Sequence, residues 1–464
     1  MTCPCVRCPA DDGAAAGFDA TALRTHGADA LAAVARARRR IDRPLLPRGP
    51  RSSARGALAA VRYPVTRLRP HDHALPPRAA GSAAFRIGAL ALVAALAGSG
   101  AAQGPERPSR EVEATIPFPP SIVRLETHAQ LTYEVQVTNA GRTPYSVVAL
   151  DVLGSDARLV ARYDASALRR MAGGAPPAPD GGGAALPAGA RLVLYVDAPL
   201  REPIPGGVSH RLALLRDHGS PGRDTIHGVT LATPIVAVDH DELPPLGAPL
   251  AGGPWVAVYA PALERGHRRV AYSVDGRTRI PGRFAVDWFR VDRDGRLGEP
   301  PLGRLTDHLA YGADVLAVAD GVVAAARDGV REPERLRDLS RVPPEAAAGN
   351  FVALRIGPGR YAVYEHLRPG LRVRPGDRVR RGQVIASLGL TGQGSAPHLH
   401  FHVADAPEPL AGEGRPFRIA SYEMLGRYEG IEAFGAGTAW TPERPVPVRD
   451  RMPSAMSVVR FPER

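Results

Sequence analysis

Residues Val373–Val403 read VRPGDRVRRGQVIASLGLTGQGSAPHLHFHV. Pro-Gly and Gly-Gln punctuate short apolar runs, of which Val384–Leu388 and Leu399–Val403 are strand-like. Side chains of an extended strand alternate with period two, so His398, His400 and His402 share one face. Two imidazoles on one strand face are a compact way to set a metal ligand beside a general acid or base. An HxH pair also occurs on solvated strands, so its meaning depends on the segments around it. Strand-like runs precede it at Phe284–Phe289, within YGADVLAVADGVV (Tyr311–Val323) and within GNFVALRIGPGRYAVYEHL (Gly349–Leu367). The whole region is therefore expected to be all-β.

The rest of the chain fits that class. It has 464 residues, with 50 glycines, 47 prolines and 5% aromatics, a composition that favours short strands and turns over helical bundles. Between Glu111 and Asp239, the runs Leu131–Val137, Tyr145–Val152, Arg191–Val196, Leu212–Leu215 and Val229–Val238 are separated by turn residues such as Asn139-Ala140-Gly141. This spacing predicts an immunoglobulin-like β-sandwich. His128, His210, His218, His227 and His240 are scattered through it without a catalytic pattern and read as structural or surface histidines.

The formal net charge is +12, but residues 1–100 hold 15 arginines against 6 acids, and the remainder is nearly balanced at 44 against 41. No electrostatic footprint for nucleic acid is evident beyond the N-terminal stretch. The three cysteines, Cys3, Cys5 and Cys8, leave nothing later in the chain to form a disulfide or thiolate site. Ala83–Gln103, AAFRIGALALVAALAGSGAAQ, has the basic, apolar and small-residue parts of a secretory signal, with cleavage expected near Gln103. Its apolar run falls short of the ~20 residues that span a bilayer. The expected organisation is a disordered or mis-started extension over 1–79, a signal segment over 80–102, a β-sandwich over 103–241, a linker over 242–254, a second β domain over 255–410 and a tail over 411–464.

Together the three quoted segments resemble the lysostaphin-like, or LytM-type, zinc endopeptidases, over roughly Phe284–Val403 or about a quarter of the chain. The hairpin VRPGDRVRRGQVIASLG also looks like a biotinyl or lipoyl carrier, which needs a modified lysine, and the chain has no lysine. The resemblance implies a lysostaphin-like antiparallel β-sheet peptidase domain over 255–410, with Zn2+ as cofactor. It further implies that His400 binds zinc, and that His366 and His398 flank the metal and act on the attacking water and the oxyanion. The implied reaction is hydrolysis of peptide bonds in peptidoglycan stem or cross-link peptides by an exported enzyme that associates transiently with the envelope.

The family's other two ligands come from an HxxxD strand, and here the sequence departs. RFAVDW (Arg283–Trp288) keeps the acid as Asp287 but has Arg283 where histidine is expected, and arginine cannot coordinate a metal. An alternative alignment uses Asp307 after GRLT and also lacks the histidine. Asp287 is preferred because its flanks alternate as a buried strand should. His402 stands where this family more often has an acid. The family also includes degenerate, metal-free regulators, so a cell-wall-binding or hydrolase-regulating module is the alternative reading.

A live site would need a third donor. His308, beside Asp307, is one candidate. The other is His267, which a hairpin about Asp275-Gly276 would lay across from Arg283 and Phe284. Symmetric pairing places His267 on the wrong face, so a one-residue bulge at Pro281-Gly282 is expected to turn it toward Asp287. The expected metal set is thus Asp287, His400 and His267, with His366 and His398 catalytic.

Overall fold

The computed structural model describes residues 111–172, 182–216, 228–259, 266–274 and 277–464. The cysteines, the apolar segment 80–102, the glycine-rich loop after Met171 and the Asp275-Gly276 turn lie outside the described residues. Among the described residues, no helix is long and apolar enough to cross a membrane.

Period-two patterning builds the first domain. In the strand Ala129–Asn139, Leu131, Tyr133, Val135 and Val137 are buried against Leu150, Val152, Leu212 and Leu214 of a second sheet. Val112–Thr115, Ser121–Arg124 and Arg191–Pro199 pair antiparallel with that strand. In the opposing sheet, Tyr145–Gly154 pairs with Gly207–Arg216, and four shorter strands complete the edges. The result is a two-sheet antiparallel sandwich. Its buried His210 is a structural residue. Thr233 Oγ1 donates to Pro234 O and so accepts from His210 Nδ1–H, which leaves Nε2 to accept from the Tyr133 hydroxyl at 2.8 Å. Burial pushes this imidazole down to about 4.

The other face of Ala129–Asn139 is unusual, because Gln130, Thr132 and Glu134 are buried too. Gln130 and Thr132 hydrogen-bond Asp197 of the neighbouring strand, and Arg268 and Arg283 of the second domain bond Glu134. That domain is built on an eleven-stranded sheet whose order runs Arg378–Val379, Gly321–Arg327, Asn350–Gly357, Arg360–Leu367, Leu399–Ala404, Val286–Arg290, Trp255–Tyr259, Ser457–Arg460, Ile419–Arg427 and Thr441–Arg451, with Gly414–Arg415 beside Leu399–Ala404. Every pairing in it is antiparallel.

Two expectations from sequence differ here. Residues 411–464 are not a tail, since they add Ile419–Arg427, Thr441–Arg451 and Ser457–Arg460 to the sheet. The proline-rich run becomes the outermost strand, where Pro442, Pro445 and Pro447 can lack an N–H without breaking a central ladder. The segment 242–254 is not a free linker either: Leu246 and Leu250 are buried in the core of the second domain, with Val123 and Leu125 from the sandwich. Val123 and Leu125 thus tie the sandwich, which keeps a core of its own, to that of the second domain.

Candidate metal centre and catalytic cleft

Three neighbouring strands bring the polar residues together. Asp287 of Val286–Arg290 and Glu365 of Arg360–Leu367 both lie opposite His400 of Leu399–Ala404. Cross-strand partners share a face, so these three form a row, with His398 and His402 one pleat to either side. The alternate residues Val286, Trp288, Tyr364, Leu399, Phe401 and Val403 point into the core. Hydrophobic burial on one face thus fixes which side chains meet on the other.

His366 breaks this alternation. As the neighbour of Glu365 it belongs on the opposite face of a regular strand, yet both line the same cleft. The pairing register with Asn350–Gly357 shifts here, so that Phe351 faces both Glu365 and His366. The His366 backbone has a φ of 62°, a left-handed conformation uncommon for a side-chain-bearing residue. Such strain persists only where surrounding structure imposes it, as at functional sites.

Hydrogen bonds to carbonyls settle two tautomers, because a carbonyl only accepts. His366 Nδ1–H donates to Thr391 O at 2.9 Å, and His398 Nδ1–H donates to Ala396 O at 2.8 Å. Both rings are left with a bare Nε2. Burial lowers both imidazoles below their ordinary range, in His366 helped by the neighbouring His398 and His400, whereas Asp287 opposes the shift in both. The rings lie 4.7 Å apart between centroids, and Phe289 stacks on His398 at 4.7 Å. Two neutral, oriented bases sit side by side.

Asp287 is the hub. Its Oδ1 is 2.8 Å from His400 Nδ1 and its Oδ2 is 2.9 Å from His267 Nε2, while the His267 and His400 rings meet edge-on at 4.5 Å. Burial alone would raise this carboxyl, but His267 and His398, with hydrogen bonds from His267 and His400, hold it well below the carboxylate range. Two imidazole nitrogens and one anionic oxygen converging from three elements form a donor set of the kind hydrolytic zinc sites use. The residues present therefore fit a zinc ion.

His267 reaches Asp287 by a different route from the expected bulge. It opens a 3-10 turn, His267–Arg269, which packs against a second one, Pro281–Phe284. Gly282 is required at this contact, since a Cβ there would lie 2.7 Å from the His267 Cβ. The flanking strands do pair, Val274 opposite Arg277, but stop at Tyr272 and Arg279. Asp307 and His308 take no part in the cleft. Asp307 accepts from the Gly303 and Arg304 backbone N–H groups, and His308 Nδ1 lies 3.1 Å from Arg304 O.

The unexpected arginine, Arg283, turns away from the hub. It donates to Glu134 of the sandwich at 3.0 and 2.7 Å and to Glu413. Arg268, adjacent to His267 and fully buried, donates to Glu134 at 2.9 Å, to both Asp197 oxygens, and to the carbonyls of Tyr133 and Val196. Burial would raise the Glu134 carboxyl, but the two guanidiniums outweigh it and lower it. This latch pins both 3-10 turns to the sandwich and so holds His267 over Asp287. Sequence reasoning missed Glu134, Glu413, Thr391 and Glu365. For Glu365 a signal existed, an acid inside the apolar run AVYEHL.

Residues 307–411 match peptidase family M23. This part of the chain is an M23 peptidase domain, and His267 and Asp287 lie before the matched span. The chain is 34% identical over 121 residues to the peptidoglycan DD-endopeptidase ShyC of Vibrio cholerae, covering 26% of this chain and 25% of that protein. It is 29% identical over 155 residues to the peptidoglycan DD-endopeptidase ShyA of the same organism, covering 32% and 30%. Among solved structures, the catalytic domain of lysostaphin from Staphylococcus simulans is similar, with 24% identity over 25% of this chain and 84% of that one and a TM-score of 0.18. The match thus spans less than a third of either curated relative.

Proposed function

We propose that the chain is an exported zinc endopeptidase that hydrolyses peptide bonds in peptidoglycan, with His267, Asp287 and His400 as its metal ligands. The observation that carries this reading is the convergence of these three donors beside two imidazoles whose Nε2 atoms are bare. Zinc held there would supply a Lewis acid that polarises the scissile carbonyl and acidifies water. His366 and His398 then act through Nε2: one accepts the proton of the attacking water, and in protonated form either donates to the developing oxyanion or the leaving amine. Their fixed Nδ1–H bonds keep both rings in that orientation throughout. The cleft, about 100 Å³ in volume, is bordered by Tyr272, Gln393, Ser395 and Leu410, a mixed polar and apolar rim suited to a peptide. The signal-like segment near 80–102 supports export, and the resemblance to peptidoglycan endopeptidases supports the substrate class.

Digestion of purified peptidoglycan tests the reading. The expected result is release of peptide-cleaved muropeptides that stops after chelation and returns when zinc is restored. Intact cross-links after incubation with zinc-loaded protein would leave a binding or regulatory module instead.

A further inference from the structure

On the side of His400 away from Asp287, a second set of ligand atoms comes together. His400 Nε2 lies 3.2 Å from His402 Nδ1 and 3.9 Å from Glu365 Oε1, and His402 Nδ1 lies 3.7 Å from that same oxygen. Three atoms with those separations share a point about 2.1 Å from each, a normal zinc–nitrogen and zinc–oxygen bond length. The residues come from two paired strands, with Glu365 opposite His400 and Val363 opposite His402. All three are buried.

The cluster makes one hydrogen bond of its own, between His400 Nε2 and His402 Nδ1, and it leaves Glu365 out. Among the described residues nothing donates to the Glu365 carboxylate, since both imidazoles stand beyond hydrogen-bond distance. A largely buried carboxylate without a donor is destabilised, and a coordinated cation would relieve it.

The geometry points to a second zinc-class cation site formed by Glu365, His402 and the far nitrogen of His400. It rests on the zinc-site reading above only for the near nitrogen, Nδ1, which faces Asp287. With both cations bound, the His400 ring bridges them as imidazolate, and the proton carried on Nε2 leaves to water, one per second cation. An imidazole ring between the cations keeps them farther apart than the ~3.5–4 Å of two-metal hydrolytic sites. The second cation therefore does not share the reacting water.

Zinc titration of metal-stripped protein, with bound metal counted by mass spectrometry after gel filtration, tests this. Wild type is expected to bind two equivalents, the second more weakly and with release of one proton, while Glu365→Gln and His402→Phe each bind one. Circular dichroism checks folding, and either variant alone suffices if the other fails to fold. Saturation of wild type at one equivalent overturns the second site and leaves the first standing. Two equivalents in both variants place the second cation elsewhere and overturn the assignment. No bound zinc at all overturns the zinc-site reading and this one with it.

Discussion

His366→Ala and His398→Ala will each lower turnover on peptidoglycan by on the order of 100-fold or more while the protein keeps its metal. The expectation follows from where each ring is tied. Both donate Nδ1–H to a backbone carbonyl and hold Nε2 bare, and neither has the close bond to Asp287 that His267 and His400 have: His398 Nε2 stays 3.7 Å from the nearest carboxylate oxygen. Removing one ring takes away a proton acceptor but no proposed ligand. Turnover on isolated peptidoglycan and metal content of the same samples check this together. Loss of zinc in either variant would move that residue into the ligand set, and unchanged turnover would contradict the enzymatic reading.

Glu134→Ala is expected to destabilise the protein by about 3–5 kcal/mol, the usual cost of leaving buried charges unpaired, and to loosen its hold on zinc. Glu134 lies in the sandwich and does not line the cleft, yet it accepts from both Arg268 and Arg283. Without it two buried guanidiniums lose their shared partner, although Asp197 and Glu413 remain. The turn that begins at His267 is then free to shift from Asp287. Glu134→Gln keeps shape and one acceptor, so a smaller loss is expected. Denaturant unfolding beside zinc retention measures both effects. A Glu134→Ala protein of wild-type stability that still holds its metal would show that the latch does not position His267.

The part of the site legible in sequence was the part fixed by local periodicity. Alternation along Leu399–Val403 placed His398, His400 and His402 on one face, and the alternating flanks of Asp287 picked it over Asp307. What stayed hidden depends on partners distant in the chain. The arginine that replaces the family's histidine made sense only once its partner Glu134, 149 positions earlier, was in view. Glu365 and His366 face one cleft because of a register shift and a positive φ, and no strand periodicity encodes either. His267 was placed near Asp287 by hairpin arithmetic, but two 3-10 turns deliver it where a bulge was expected, and the contact depends on the absence of a side chain at Gly282. The terminal strands were obscured by prolines, which suit an edge strand as well as a tail.

The central claim is that His267, from outside the family's usual motif, completes a metal centre with Asp287 and His400. Its most direct test is the zinc that survives dialysis in wild type, His267→Ala and His308→Ala. Wild type and His308→Ala should hold equal amounts, and His267→Ala should lose this tightly held zinc. Full retention in His267→Ala, or no zinc in wild type, would contradict the account.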